Sequence, residues 1–446
     1  MSENEATEEK IARNRNFQLL WFGSTISQFG DQFYLLALPW LVLLITGDDA
    51  MALGSIMAAA AIPRVVLMVF GGAVTDRISP RLILIVSASL RAILVFLLAV
   101  LVLSGLIKLW MLFVLAIVFG IADAFAAPAA TTLLPRIVQP DQLPSANAFV
   151  SGAHQIAGIV GPVAAGFFIA FFGSDLSDTS TTTSRIGIGA AFIFDAVTFL
   201  FVILALGYLK LSSGGIDEDS ATKQGFLESI KEGISFVFRH PSFRVMLMLA
   251  AIINLAITGP MAIGLPYMAR TEFGANPTAL GWLMSAMAFG SLIGFALGGG
   301  LPRPNPARFG STVISVVGVA GIFFAAVALA PTVWWAMTAL TFAAMANGYA
   351  NILIISWFQL RSPKPMLGRV LSLVITVSGG LAPVSMAAGG ALINLYDIRM
   401  VLGCAAISMA ITAFLGLTLR SVREMDLIAV SLEKKELGED HSVPLL

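Results

Sequence analysis

The chain has 446 residues, 58% of them hydrophobic and 12% charged, and its 26 basic residues balance its 26 acidic ones. Soluble proteins carry roughly a quarter charged residues, so an ordinary water-facing surface is excluded, and the zero net charge offers nothing to nucleic acid. The single cysteine, Cys404, excludes a disulfide framework, and the three histidines lack metal-ligand spacing, so no metal site is expected.

Residues 1–16 are polar and mixed in charge. The first apolar run is too long for a signal core, so it is expected to remain as a membrane anchor. A helix needs about 20 apolar residues to cross the hydrocarbon core. By that length twelve spans are predicted: 17–46, 52–75, 82–104, 108–130, 146–173 and 187–211, then 243–269, 277–300, 310–330, 333–358, 368–395 and 400–420. The runs lack the period-2 alternation of a membrane barrel, and lipid offers backbone groups no partner. An all-α membrane protein is the reading left.

Lys and Arg set the orientation. With both termini in the cytoplasm, the outer loops hold Lys108, Arg185, Arg270 and Arg399, and Arg64 and Arg91 lie inside spans. The other twenty of the 26 basic residues then face the cytoplasm. The chain reads as a cytoplasmic segment 1–16, a six-helix bundle 17–211, a cytoplasmic linker 212–242, a second six-helix bundle 243–420 and a cytoplasmic tail 421–446. Within the linker, 225–240 reads as an amphipathic surface helix ending at Pro241. The bundles share a loose repeat. Asp31 and Asn254 are 223 residues apart, and Asp123 and Asn347, like Leu143 and Leu367, are 224 apart. Parallel halves of this kind are a transporter architecture.

Polar residues inside spans are costly and face a cavity or a partner helix. Span 1 places Ser24, Gln28, Asp31 and Gln32 on one face by their i, i+4, i+7, i+8 spacing. Span 4 adds Asp123, span 7 adds Asn254 and Thr258, and span 10 adds Asn347 and Asn351. For a lone Asn or Thr, helix–helix hydrogen bonding is the simpler reading. For Asp31 it is not, because a carboxylate at mid-membrane needs a cation, a proton or water. Arg64, at similar depth in span 2, is a candidate ion-pair partner, and a coupling proton is the alternative. Asp31 therefore heads the candidate substrate- or proton-binding residues, followed by Gln28, Asn254, Asn347 and Asn351. His154 in span 5 is a further proton candidate, although packing is its simpler role. Asp195 in span 6, flanked by Phe194 and Ala196, needs a partner that the sequence does not name. Trp40, Trp110, Trp334 and Trp335 lie near span ends, where Trp anchors helices at the interface.

The gap between spans 2 and 3 reads Gly71-Gly72-Ala73-Val74-Thr75-Asp76-Arg77-Ile78-Ser79-Pro80-Arg81. Small residues let helix ends approach closely, and a carboxylate meets two guanidiniums where the chain turns back. Arg91 and Asp123, toward the cytoplasmic ends of their predicted spans, are expected to join Asp76, Arg77 and Arg81 in one charged cluster. With Gly72, these are the candidate gating residues.

Twelve spans, two halves and the pattern Gly72-x-x-x-Asp76-Arg77-x-x-x-Arg81 resemble the major facilitator superfamily. Ser79 and Pro80 stand where the family pattern has Gly and a basic residue, and the second-half counterpart near Gly298 to Arg308 lacks the Asp. The resemblance implies two pseudo-symmetric six-helix bundles. It also implies a loop that locks the halves in one state together with an acidic residue on span 4, here Asp123. Gly158-x-x-Gly161-Pro162-x-x-x-Gly166 is similar to the family's antiporter motif. Asn14-Arg15-Asn16-Phe17-x-x-Leu20-Trp21, Ser27-Gln28-Phe29-Gly30-Asp31, Leu38-Pro39-Trp40-Leu41 and Ala127-Pro128-Ala129 resemble the enterobactin-exporter and macrolide-efflux branch. By resemblance, the protein is a transporter and not an enzyme, with no cofactor beyond a proton gradient. It is expected to move an amphipathic small molecule (a drug, macrolide or siderophore) outward by proton antiport, as a monomer in the bacterial plasma membrane. Nutrient import, lysophospholipid transport and a non-transporting receptor are the competing readings.

Overall fold

The computed structural model describes residues 14–75, 77–173, 181–209, 234–302, 304, 309–362 and 366–418. Among these, every regular element is helical, and twelve segments are long and apolar enough to cross a membrane. Spans 1 to 3 are Arg15–Thr46, Ala50–Thr75 and Pro80–Leu103, span 4 is in two parts, and spans 5 and 6 are Leu143–Gly173 and Thr181–Tyr208. Spans 7 to 12 are Pro241–Thr271, Pro277–Gly300, Phe309–Ala328, Val333–Arg361, Leu367–Leu395 and Ile398–Thr418. Large apolar side chains such as Phe22, Ile93, Phe171, Ile322 and Phe414 are exposed on them, which is the surface a bilayer covers.

Local chemistry sets the helix ends. Asn14 Oδ1 accepts from the Asn16 and Phe17 N–H groups at 3.0 and 3.2 Å and so caps span 1. Its Nδ2 donates to Ile137 O at 3.0 Å, tying that cap to the end of span 4. Gly47 closes span 1 at φ 68°, a left-handed conformation that suits glycine. Asp49 Oδ1 then caps span 2 by accepting from Met51 N and Ala52 N. Pro80 opens span 3 at its first helical position, where a missing N–H loses no bond.

Span 4 differs from the continuous 108–130 helix predicted. It runs Leu109–Asp123, breaks at Ala124 and Phe125, resumes over Ala126–Leu133 and ends in a 3-10 turn, Leu134–Arg136. Pro128 accounts for the break. It has no N–H for the Ala124 carbonyl four residues earlier, and its ring crowds that carbonyl. Beside the break, the Ala122 carbonyl accepts from Ser87 Oγ of span 3 at 2.6 Å, which helps satisfy the interruption at membrane depth.

The chain divides into two compact units. The first holds spans 1 to 6 together with Met261–Ser285 and Met386–Leu395. The second holds Thr222–Pro260, Ala286–Ser385 and the chain from Tyr396 onward. The division therefore cuts spans 7, 8 and 11 within their helices. In the first unit, span 6 packs against spans 1, 3 and 5, and span 2 packs against span 4. In the second, span 9 packs against spans 10 and 12, and Phe243, Met246, Val313, Trp357, Phe358 and Val370 form part of a buried core. Residues 234–239 are helical, and the fully buried Val237 anchors this end of the linker in that core. The part of the expected linker helix before residue 234 lies outside the described residues.

Spans 7 and 11 meet through an unusual contact. Ser385 Oγ donates to Leu255 O at 2.6 Å and accepts from Gly259 N at 2.7 Å. Gly259 N and Leu255 O are an i, i−4 pair. The hydroxyl thus stands inside the hydrogen-bond ladder of span 7, next to Pro260, a placement that opens and bends helices.

Candidate functional site

Five ionisable side chains of the first unit, Asp31, Arg64, Arg91, Asp123 and Asp195, each stand close to the midpoint of their span. Asp123 was expected near a cytoplasmic end. It is central because span 4 continues through Arg136, beyond its predicted limit. Arg91 is central too, since span 3 is Pro80–Leu103.

Asp123 organises the cluster. Arg91 Nη1 donates to its Oδ1 at 3.1 Å, and Arg64 Nε reaches its Oδ2, also at 3.1 Å. A carboxylate at the C-terminal end of a helix opposes the helix dipole, and two guanidiniums offset that here. The ion pair expected between Arg64 and Asp31 is therefore not the one formed: Arg64 is held by Asp123. Asp31 is half-buried and has no ion-pair or hydrogen-bond partner among the described residues, yet it lies within electrostatic range of Arg91, Asp123 and Arg64.

Asp195 completes the cluster from span 6. It is fully buried and interacts electrostatically with both Asp31 and Arg91. Its carboxyl lies against the backbone of span 1: a methyl at Gly30 would overlap Thr198 Oγ1 and crowd Asp195 Oδ1. Glycine is required there by space. Thr198 Oγ1 donates to the Asp195 carbonyl at 2.7 Å and reaches Asp195 Oδ1 only at 3.5 Å. Asp195 Oδ2 and Arg91 Nε are both buried and have no hydrogen-bond partner among the described residues. The Arg91 guanidinium lies 4.6 Å from the ring centroid of Phe199, one turn along span 6 from Asp195. Tyr34, stacked on Phe119 at 4.6 Å, closes an aromatic side of the cluster. Sequence reasoning left Asp195 without a role. Its depth, matching that of Asp31, was the available signal.

The remaining candidates divide. Arg81 Nη2 donates to Gly207 O at 2.6 Å, at the end of span 6, and Arg77 is exposed in the turn. The expected joining of Arg81 with Arg91 and Asp123 is thus not what the structure brings together. Asp76 lies outside the described residues, as do the surroundings of Gly72. Gln28 is half-buried on the same helix as Asp31. In the second unit, Asn254 Nδ2 donates to Ala250 O of its own helix at 2.9 Å, Asn347 is half-buried and Asn351 is exposed. Trp40, expected as an interfacial anchor, is buried within the protein and sits beneath the guanidinium of Arg270, 5.6 Å from its ring centroid. Arg270 also forms an ion pair with Asp48. Among the described residues no group of His, Cys, Asp and Glu is arranged to hold a metal ion.

Two guanidiniums and three carboxylates leave the cluster one negative charge over when all are ionised. Chemically it can accept a proton or a cation, and it offers no nucleophile beside a base.

The chain is 26% identical over 426 residues to the multidrug efflux pump Tap of Mycolicibacterium fortuitum, covering 92% of this chain and 97% of that one. It is similar in structure to the nucleoside transporter NupG, with a TM-score of 0.68 at 14% identity, covering 90% of this chain and 98% of that one. It is also similar to a bacterial homologue of the iron transporter ferroportin in an inward-facing state, with a TM-score of 0.68 at 16% identity and coverage of 91% and 98%. The family model of the Major Facilitator Superfamily matches residues 20–385. With twelve apolar helices and these transporters as relatives, the chain belongs to the major facilitator superfamily of multi-pass membrane transporters, and it is not an enzyme.

Proposed function

We propose that the protein exports an amphipathic small molecule across the bacterial plasma membrane by alternating access, in exchange for protons. Both termini lie in the cytoplasm, the working unit is a monomer, and the segments 17–211 and 243–420 act as the two moving halves. Asp31 binds substrate or proton, with Gln28, Asn254, Asn347 and Asn351 contributing polar contacts. Gly72, Asp76, Arg77, Arg81, Arg91 and Asp123 control closure. The observation that carries this reading is Asp31 itself: a half-buried carboxyl at mid-span, without a direct cationic partner among the described residues, beside an arginine pair already engaged by Asp123. Such a group takes a proton or a cation, and either supplies the difference in affinity between two states that transport needs. Export is supported by the similarity to Tap, which is named a multidrug efflux pump.

Inside-out vesicles test the proposal. With an interior-acid gradient, wild type is expected to accumulate ethidium, an amphipathic cation. Asp31→Asn is expected to lower that accumulation by about tenfold, the size of a typical coupling free energy between two bound ligands. Unchanged gradient-driven accumulation in Asp31→Asn would remove Asp31 from the coupling.

A further inference from the structure

The arginine charge in the mid-membrane cluster is unevenly shared. Both guanidiniums are drawn to Asp123, while Asp195, the most deeply buried of the three carboxyls, has none. Thr198 does not substitute for one. Its single hydroxyl proton goes to the Asp195 main-chain carbonyl at 2.7 Å, and Oδ2 has no partner among the described residues. An ionised carboxyl in that position would be a desolvated, unpaired charge, which proteins avoid by neutralising the group. A second unmet group lies nearby. Arg91 Nε is buried without a hydrogen-bond partner, and its guanidinium already rests on Phe199, one turn from Asp195. A free donor and a free acceptor of opposite charge thus flank the same stretch of span 6.

We infer that Asp195 stores the transported proton, and that Arg91 is the counter-ion which replaces it. In the state described, the proton sits on the Asp195 carboxyl and Arg91 is held by Asp123. On release, the O–H bond of Asp195 breaks and an O–H bond forms on the carboxylate of Asp31, which is half-buried and passes the proton on to water. The new Asp195 carboxylate then draws Arg91 from Asp123 Oδ1, and Arg64 remains on Oδ2 to hold Asp123. The charged groups acting on Asp195 are Asp31 of span 1 and Arg91 of span 3. Tyr34 of span 1 shares the same field, and His154, the ionisable side chain of span 5, is exposed. This rests on the proton-coupled reading above and gives the proton a site that the sequence did not assign.

Infrared difference spectra of purified protein, acid minus alkaline, read the proton directly without any substrate. Wild type is expected to show the carbonyl stretch of a protonated carboxyl, Asp195→Asn to lose that band, and Asp195→Glu to keep it at a shifted position. Persistence of the same band in Asp195→Asn overturns the inference, and so does its absence from wild type, which requires no variant to fold. Ethidium accumulation in inside-out vesicles separates the two levels. If wild type shows the Asp195 band but no gradient-driven accumulation, the export reading fails and the proton site stands. If wild type accumulates ethidium and Asp195→Asn does so within about twofold, too little to account for a coupling ligand, the proton site fails.

Discussion

Asp123 accepts from a different guanidinium on each oxygen, but the two pairs differ in weight. The Arg91 side chain is 14% exposed and that of Arg64 is 57% exposed. Removing one partner of a buried pair costs about 3 kcal/mol or more, and Arg64 is far less enclosed by protein than Arg91. Asp123→Asn and Arg91→Ala are therefore expected to lower the melting temperature in detergent clearly, and Arg64→Ala to lower it far less. Equal losses in all three variants would contradict this ranking. Gly30 makes a second prediction at this scale. Even alanine there must displace Thr198 and Asp195, an overpacking cost of about 1–3 kcal/mol. Thermal unfolding of Gly30→Ala measures it, and a wild-type melting point would count against the close contact.

At the scale of elements, the helices were largely legible because length and hydrophobicity suffice to name a membrane span. The break in span 4 was not. Pro128 lies five residues past Asp123, and nothing in the local pattern says whether a proline bends a helix or interrupts it. The partner that steadies the break, Ser87, is on another helix. The candidate site was half legible for the same reason. The sequence singles out mid-span carboxylates such as Asp31, but which arginine meets which carboxylate depends on helix rotation, and Arg64 turns to Asp123. Span 7 shows the point again: the hydroxyl within its ladder comes from Ser385, 126 residues on from Gly259. Ser385→Ala leaves Gly259 N–H and Leu255 C=O facing each other, free to form the ordinary helical bond. Peptides covering residues 255–260 are then expected to exchange their amide hydrogens more slowly than in wild type. Faster exchange would mean that the hydroxyl stabilises span 7 rather than opening it.

For the molecule as a whole, the distribution of Lys and Arg makes a topological prediction. Ser79 and Ser104 flank the two ends of span 3 and are both exposed. In a Cys404→Ser background, Ser104→Cys is expected to react with an impermeant maleimide in intact cells, and Ser79→Cys only after permeabilisation. The opposite labelling would invert the orientation. The contact of Arg270 with Asp48 and Trp40 joins the end of span 7 to the turn between spans 1 and 2. A double-mutant cycle on Arg270→Ala and Asp48→Ala should give a coupling of under about 1 kcal/mol, because Asp48 is partly exposed.

The single negative charge left over among the mid-span groups of spans 1, 2, 3, 4 and 6 once all are ionised has an electrical consequence. Moving one elementary charge across the membrane potential is worth about 2.3 kcal/mol per 100 mV. If one proton leaves as one monovalent cation enters, the charge carried by the binding centre is the same in both directions, and the exchange is electroneutral. Ethidium flux at a fixed pH gradient should then be insensitive to a potassium diffusion potential set with valinomycin. An uncharged cargo leaves the returning centre without that compensation, so its transport carries current and is driven by voltage as well as by pH.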